Sequence, residues 1–96
     1  GKPAIYFGDF DPKGVSIATN EGYRFMLLPA QDVMIKKSSV AMFPDVQLKF
    51  LAELLKNKAH SDFHRYLLIL EQHKALRQQK MQGEILHAVP LLPVAG

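Results

Sequence analysis

Ala4-Ile5-Tyr6-Phe7 is an apolar run with the composition of a short buried strand, and it leads directly into Gly8-Asp9-Phe10-Asp11-Pro12-Lys13-Gly14. This junction constrains the fold more than any other stretch, because Pro12 and Gly14 force a turn as soon as the strand ends. Asp11 is suited to cap a helix and Pro12 to open one, since the proline φ is already helical. Val15, Ile17 and Ala18 give a short apolar face, and Asn20 and Gly22 supply a stop signal. The sequence therefore predicts a helix over Pro12–Asn20. Tyr23-Arg24-Phe25-Met26-Leu27-Leu28 reads as a second strand, closed by Pro29. Strand, helix and strand within residues 4–29 predict a right-handed βαβ unit in a parallel sheet with flanking helices, an α/β fold class.

Downstream, Gln31-Asp32-Val33-Met34-Ile35 fits either a helical turn or a short strand, and Lys36-Lys37-Ser38-Ser39 resembles a solvated loop. Pro44 opens a predicted helix to Asn57, with Val46, Phe50 and Leu54 at i, i+4 spacing and Leu48, Leu51 and Leu55 widening the stripe. Ser61 is a good N-cap for the next helix, whose face carries Phe63, Leu67 and Leu70. Helix propensity stays high to Gln82, so one long helix or two with a break near His73 both fit, and Gly83 ends the element. Glu84–Val89 is a candidate last strand, followed by an irregular tail bracketed by Pro90 and Pro93.

The chain has 96 residues, enough for one small domain. At 48% hydrophobic and 22% charged it has the composition of a globular chain. It contains no cysteine, so disulfides, thiolate metal sites and cysteine nucleophiles are excluded, which fits a cytoplasmic protein. No apolar run approaches the roughly 18 residues a membrane span needs. The formal net charge of +3 and pI near 9.3 permit a polyanionic partner without establishing one. Phosphate-loop, dinucleotide-binding and serine-elbow motifs are absent.

The chemistry-bearing candidates are Asp9 and Asp11. Residues two apart in an extended segment point to the same side, and the carboxyl end of a buried strand is where open α/β sheets place ligands. Two such carboxylates repel one another and can converge on a hard cation such as Mg²⁺. The same residues also read as an N-cap (Asp11) and a turn residue (Asp9). Lys13, beside them, reads as a phosphate-holding point charge or a solvated first-turn residue.

Tyr6-Phe7-Gly8-Asp9-Phe10-Asp11-Pro12-Lys13-Gly14 resembles the D-x-D segment of Toprim domains. It is closest to the subgroup with a glycine before the acids, which includes the topoisomerase VI A subunit, the related meiotic break-forming proteins and the nuclease subunit of Wadjet plasmid-defence systems. The order of residues 4–28, the following Leu28-Pro29-Ala30-Gln31-Asp32-Val33-Met34 and the segment Leu76–Glu84 are similar to the Wadjet nuclease. The resemblance implies a Mg²⁺ or Mn²⁺ site on Asp9 and Asp11, with Lys13 where the subgroup usually has histidine, and metal-dependent cleavage of DNA, in plasmid or phage defence. It further implies a glutamate on an earlier strand. Only Gly1-Lys2-Pro3 precedes the D-x-D strand here, so residues 1–96 are expected to form the C-terminal portion of a Toprim-like domain completed by an upstream part of the same protein.

Two other readings compete with a nuclease. One is a non-catalytic interaction or DNA-binding module that kept the sheet and lost the complete metal site. The other is a receiver-like or phosphatase-like domain using Asp9 or Asp11 as nucleophile, disfavoured by the shortage of further strands. Glu84 is a candidate extra acid, weighed against a surface role. His60 and His64 have the spacing of a helical metal pair but lack a third ligand nearby; His73 and His87 read as ordinary histidines. Lys74, Arg77 and Lys80 recur at i+3, predicting a basic row on a helix face that is either solvated or set against nucleic acid. Phe43, Leu91 and Leu92 are candidates for an exposed apolar surface driving homo-oligomerisation.

Overall fold

A computed structural model describes residues 4–56 and 62–91 of the protein. The first strand, β1 (Ile5–Tyr6), and the second, β2 (Phe25–Pro29), pair in parallel with Ile5 opposite Phe25, and α1 (Pro12–Asn20) connects them. α1 has the bounds the sequence predicts. Asp11 sits at its N-cap in extended conformation, and Pro12 takes the first helical position. After it, Gly22 adopts φ +83°, where a side chain would be strained.

β2 is the central strand of a three-stranded sheet ordered β1-β2-β5. Its Met26 and Leu28 are fully buried, which accounts for the apolar run through these positions. The last strand, β5 (Leu86–Pro90), lies antiparallel to β2, pairing Phe25 with Pro90 and Pro29 with Leu86. The sheet is therefore mixed, which corrects the expected parallel sheet. Here the chain arrives at the carboxyl end of β2 through a short turn and pairs from that end backwards.

The ambiguous stretch after Pro29 is a helix, α2 (Gln31–Lys37). Met34 is its buried anchor, Asp32 lies in the first turn, and Lys36 and Lys37 lie in the last, a charge order the helix dipole favours. Lys36 and Lys37 are thus helical, not part of a loop, and Ser39–Val40 forms a short strand, β3. Pro44 precedes α3 (Asp45–Lys56), in which Leu51 is buried while Val46, placed on the apolar stripe by spacing, is 73% exposed. Asn57, Ser61 and His60 lie outside the described residues.

The next helix, α4 (Asp62–Glu71), buries Phe63, Tyr66, Leu67, Ile69 and Leu70. Its Tyr66 hydroxyl donates to the Pro29 carbonyl at 2.6 Å, fastening α4 to the end of β2. The helix does not run on to Gln82. His73 adopts φ 60°, Lys74–Ala75 form β4 antiparallel to β3, and only a short 3-10 turn follows at Gln78–Met81. Lys74, Arg77 and Lys80 therefore share no helix face. High local propensity loses to tertiary pairing: Leu76 is buried and exchanges both backbone hydrogen bonds with Phe10, at 2.8 and 3.0 Å.

The core collects Phe10, Val15, Met26, Leu28, Met34, Phe63, Leu70, Leu76 and Met81, drawn from nearly every element. Among the described residues no helix is long and apolar enough to cross a membrane.

Candidate functional site

The Phe10–Leu76 bridge positions the acids. Phe10 is fully buried, with its ring edge-on to Tyr66 at 6.1 Å between centroids. Its neighbours Asp9 and Asp11, one step either side along an extended segment, face the other way. Both line a cleft of about 420 Å³ at the carboxyl end of β1. Asp9 Oδ1 accepts the Gln78 N–H at 2.7 Å, and Asp11 Oδ1 accepts the Gly14 N–H at 2.6 Å. Each bond fixes a side chain and leaves Oδ2 without a hydrogen bond among the described residues. Asp11 is thus an N-cap as the simpler reading has it, and Asp9 holds the start of the 3-10 turn.

The spacing Asp11-Pro12-Lys13-Gly14 has a steric reason. A Cβ at Gly14 would run into the Asp9 carbonyl oxygen and would lie 3.2 Å from Asp11 Oδ1. The first turn of α1 packs directly on the D-x-D backbone, and only glycine permits it. Gly8 serves Tyr6 in a similar way: a Cβ there would lie 2.7 Å from the Tyr6 hydroxyl. Burial raises the Tyr6 pKa above its ordinary value, and the charges of Asp11 and then Asp9 raise it further. The Tyr6 ring meets Tyr23 edge-on at 5.2 Å.

Lys13 is exposed and lines the same cleft as the two acids. Sequence reasoning missed what completes the lining: Arg77 and Gln79 from the segment after β4, and Met42, Phe43 and Gln47 from beyond β3. The i+3 spacing of Lys74, Arg77 and Lys80 places Arg77 on a helix face. It reaches the cleft because the bridge at Leu76 turns the chain there, and no local pattern announces a pairing between residues so far apart.

A family model described as a domain of unknown function, DUF7281, matches residues 1–91. The chain belongs to the DUF7281 family. No curated protein and no solved structure matches it. The DUF7281 span includes β1, the segment after it that bears the acids, α1, and both segments that wall the cleft.

The remaining candidates lie elsewhere. Glu84 pairs with Lys37 Nζ at 2.6 Å, tying the loop before β5 to the end of α2, and does not line the acid cleft. His73 and His87 are exposed, His64 is half-buried on α4, and His60 falls outside the described residues. Among the described residues no three His, Cys, Asp or Glu side chains are grouped to hold a metal ion. Asp9 and Asp11 alone fit a hard cation in kind and number, because Mg²⁺ commonly takes one or two carboxylates, keeps several waters and binds substrate phosphate. Leu91 is buried and Phe43 half-buried, so neither presents the exposed surface expected of it; Leu92 lies outside the described residues.

Proposed function

We propose that this domain carries the acidic corner of a Toprim-like, metal-dependent phosphodiester hydrolase acting on DNA. The observation behind the reading is that Asp9 and Asp11 flank a buried Phe10, face one cleft, and share it with Lys13 and Arg77. Two carboxylates to hold a cation and two cations to hold phosphate form the pairing that phosphoryl chemistry needs. Asp9 and Asp11 offer Oδ2 atoms whose direction is set by the Gln78 and Gly14 N–H groups on Oδ1. Lys13 steadies a phosphate oxygen as a point charge, and Arg77 has the planar fork for a second. Bound Mg²⁺ or Mn²⁺ would add Lewis acidity at the phosphate and lower the pKa of an attacking water. The third carboxylate, a cytoplasmic setting and a role in plasmid or phage defence belong to the same proposal, with the acid coming from an upstream part of the protein.

A second reading draws on the same two bonds. Asp9 and Asp11 each already serve the fold, as they would in a non-catalytic DNA-binding or interaction module. A titration of the domain with Mg²⁺ and Mn²⁺, followed by backbone NMR, separates the two. The hydrolase reading expects shifts at residues 8–14 and at Gln78, with Mn²⁺ broadening the same signals. In the full-length protein, Asp9→Asn and Asp11→Asn should each abolish DNA cleavage without loss of folding; cleavage retained by both variants would remove the acids from the mechanism.

A further inference from the structure

Resting on that reading, we infer that the acid cleft accepts one nucleotide of single-stranded DNA with its base unstacked, and that Met42 is the surface the base meets. Ala75 and Leu76 line the cleft between two walls. On one edge β4 pairs with β3, and the Ala41 N–H donates to the His73 carbonyl at 2.8 Å; on the other edge Leu76 pairs with Phe10. Asp9 and Asp11 therefore stand on one wall and Met42 on the other. The first wall offers charge for a phosphate. The second is apolar: Met42 is 95% exposed, with Phe43 and Pro44 beside it.

An exposed methionine in a loose loop would carry no meaning, but this loop is held. Besides the Ala41 bond, the Phe43 ring stacks on His73 at 6.0 Å with 19° between planes. A solvent-facing thioether on a held backbone, opposite the proposed phosphate-binding wall, suits a nucleobase, since sulfur packs well on aromatic rings. A cleft of about 420 Å³ is near the lower end for small-ligand sites, room for a nucleotide unit. Duplex DNA keeps its base faces stacked inside and shows a protein only the backbone and base edges, so Met42 would have no base face to pack on.

The test is fluorescence anisotropy with fluorescein-labelled oligothymidylate, single-stranded or annealed to oligoadenylate, in Ca²⁺ at low salt. The inference expects tighter binding of the single strand. Met42→Ser should weaken that binding roughly three- to tenfold and leave the duplex unaffected, with thermal melting confirming the fold. Equal binding of both forms, unchanged by Met42→Ser but weakened by the Lys13→Ala/Arg77→Ala double variant, would overturn the base-binding wall and keep the proposed hydrolase. Failure to bind either DNA would overturn both.

Discussion

Asp11 Oδ1 accepts the Gly14 N–H while its Oδ2 stays available, so capping and cation binding are compatible in one side chain and separable by substitution. Asparagine caps a helix about as well as aspartate, whereas alanine costs about 1 kcal/mol. Asp11→Asn should therefore melt within a degree or two of the parent, and Asp11→Ala should melt about 4–8 °C lower, the shift expected for a domain of this size. Both should lose the response to Mg²⁺. Equal melting of Asp11→Ala and the parent would mean that the cap contributes nothing. Gly14→Ala is the sharper test, because its Cβ meets the Asp9 backbone carbonyl and not a movable side-chain tip. Overpacking of this kind costs about 1–3 kcal/mol, and relief requires moving Asp9, so the Asp9 amide should shift in NMR spectra along with the lowered stability.

At the level of elements, α1 was fully legible because each of its signals is local: Asp11, Pro12, the apolar triplet and Gly22 lie within one short stretch. β4, the 3-10 turn and the antiparallel direction of β5 were not, because each depends on a partner distant in sequence. The same division runs through the residues that line the candidate cleft. Asp9, Asp11 and Lys13 could be found from the motif; Arg77 and Met42 could not, since the Phe10–Leu76 and Ala41–His73 bonds bring them there. His73 marks where the helix reading failed, and its φ of 60° costs about 1–2 kcal/mol in a non-glycine residue. His73→Gly relieves that cost but removes the ring against Phe43, worth about 0.5–1.5 kcal/mol. Global stability should therefore change by less than about 1 kcal/mol by urea unfolding, while hydrogen exchange at Ala41 accelerates. Unchanged exchange there would show that the ring does not hold the loop.

Tyr66 joins α4 to β2 and gives the fold a pH dependence of known sign. Burial raises its pKa above 10.0, with Asp62 and then Asp32 adding to the effect, and Tyr6 is raised likewise. The folded state thus holds these phenolic protons more tightly than the unfolded chain. Their contribution is fully present below pH 10 and is lost as pH rises through the folded pKa values. Urea midpoints should be insensitive to these groups near neutrality and decline above pH 10, and Tyr66→Phe should flatten the decline. Because that variant also strands the Pro29 carbonyl, its stability at neutral pH should drop by about 1–3 kcal/mol.

For the whole molecule, the proposed action on DNA would require a chain of formal charge +3 to meet a polyanion through a cleft containing two carboxylates. Under that proposal, without a cation Asp9 and Asp11 would repel a phosphate that Lys13 and Arg77 would attract, the four formal charges summing to zero. In EDTA the Asp9→Asn/Asp11→Asn double variant removes two negative charges, taking the formal net charge from +3 to +5. It should bind oligothymidylate more tightly than the parent at low salt, with the advantage shrinking as salt is added. Adding Mg²⁺ should reverse the order: the parent gains affinity as its carboxylates hold the cation, while the double variant, now without ligands, gains nothing. That crossing of two binding curves is specific to carboxylates that both repel phosphate and hold metal. Carboxylates serving only as caps would give an affinity gain on neutralisation that Mg²⁺ does not cancel. Because asparagine preserves both acceptor oxygens bonded to Gly14 and Gln78, the comparison changes charge while leaving the hydrogen bonds that build the corner.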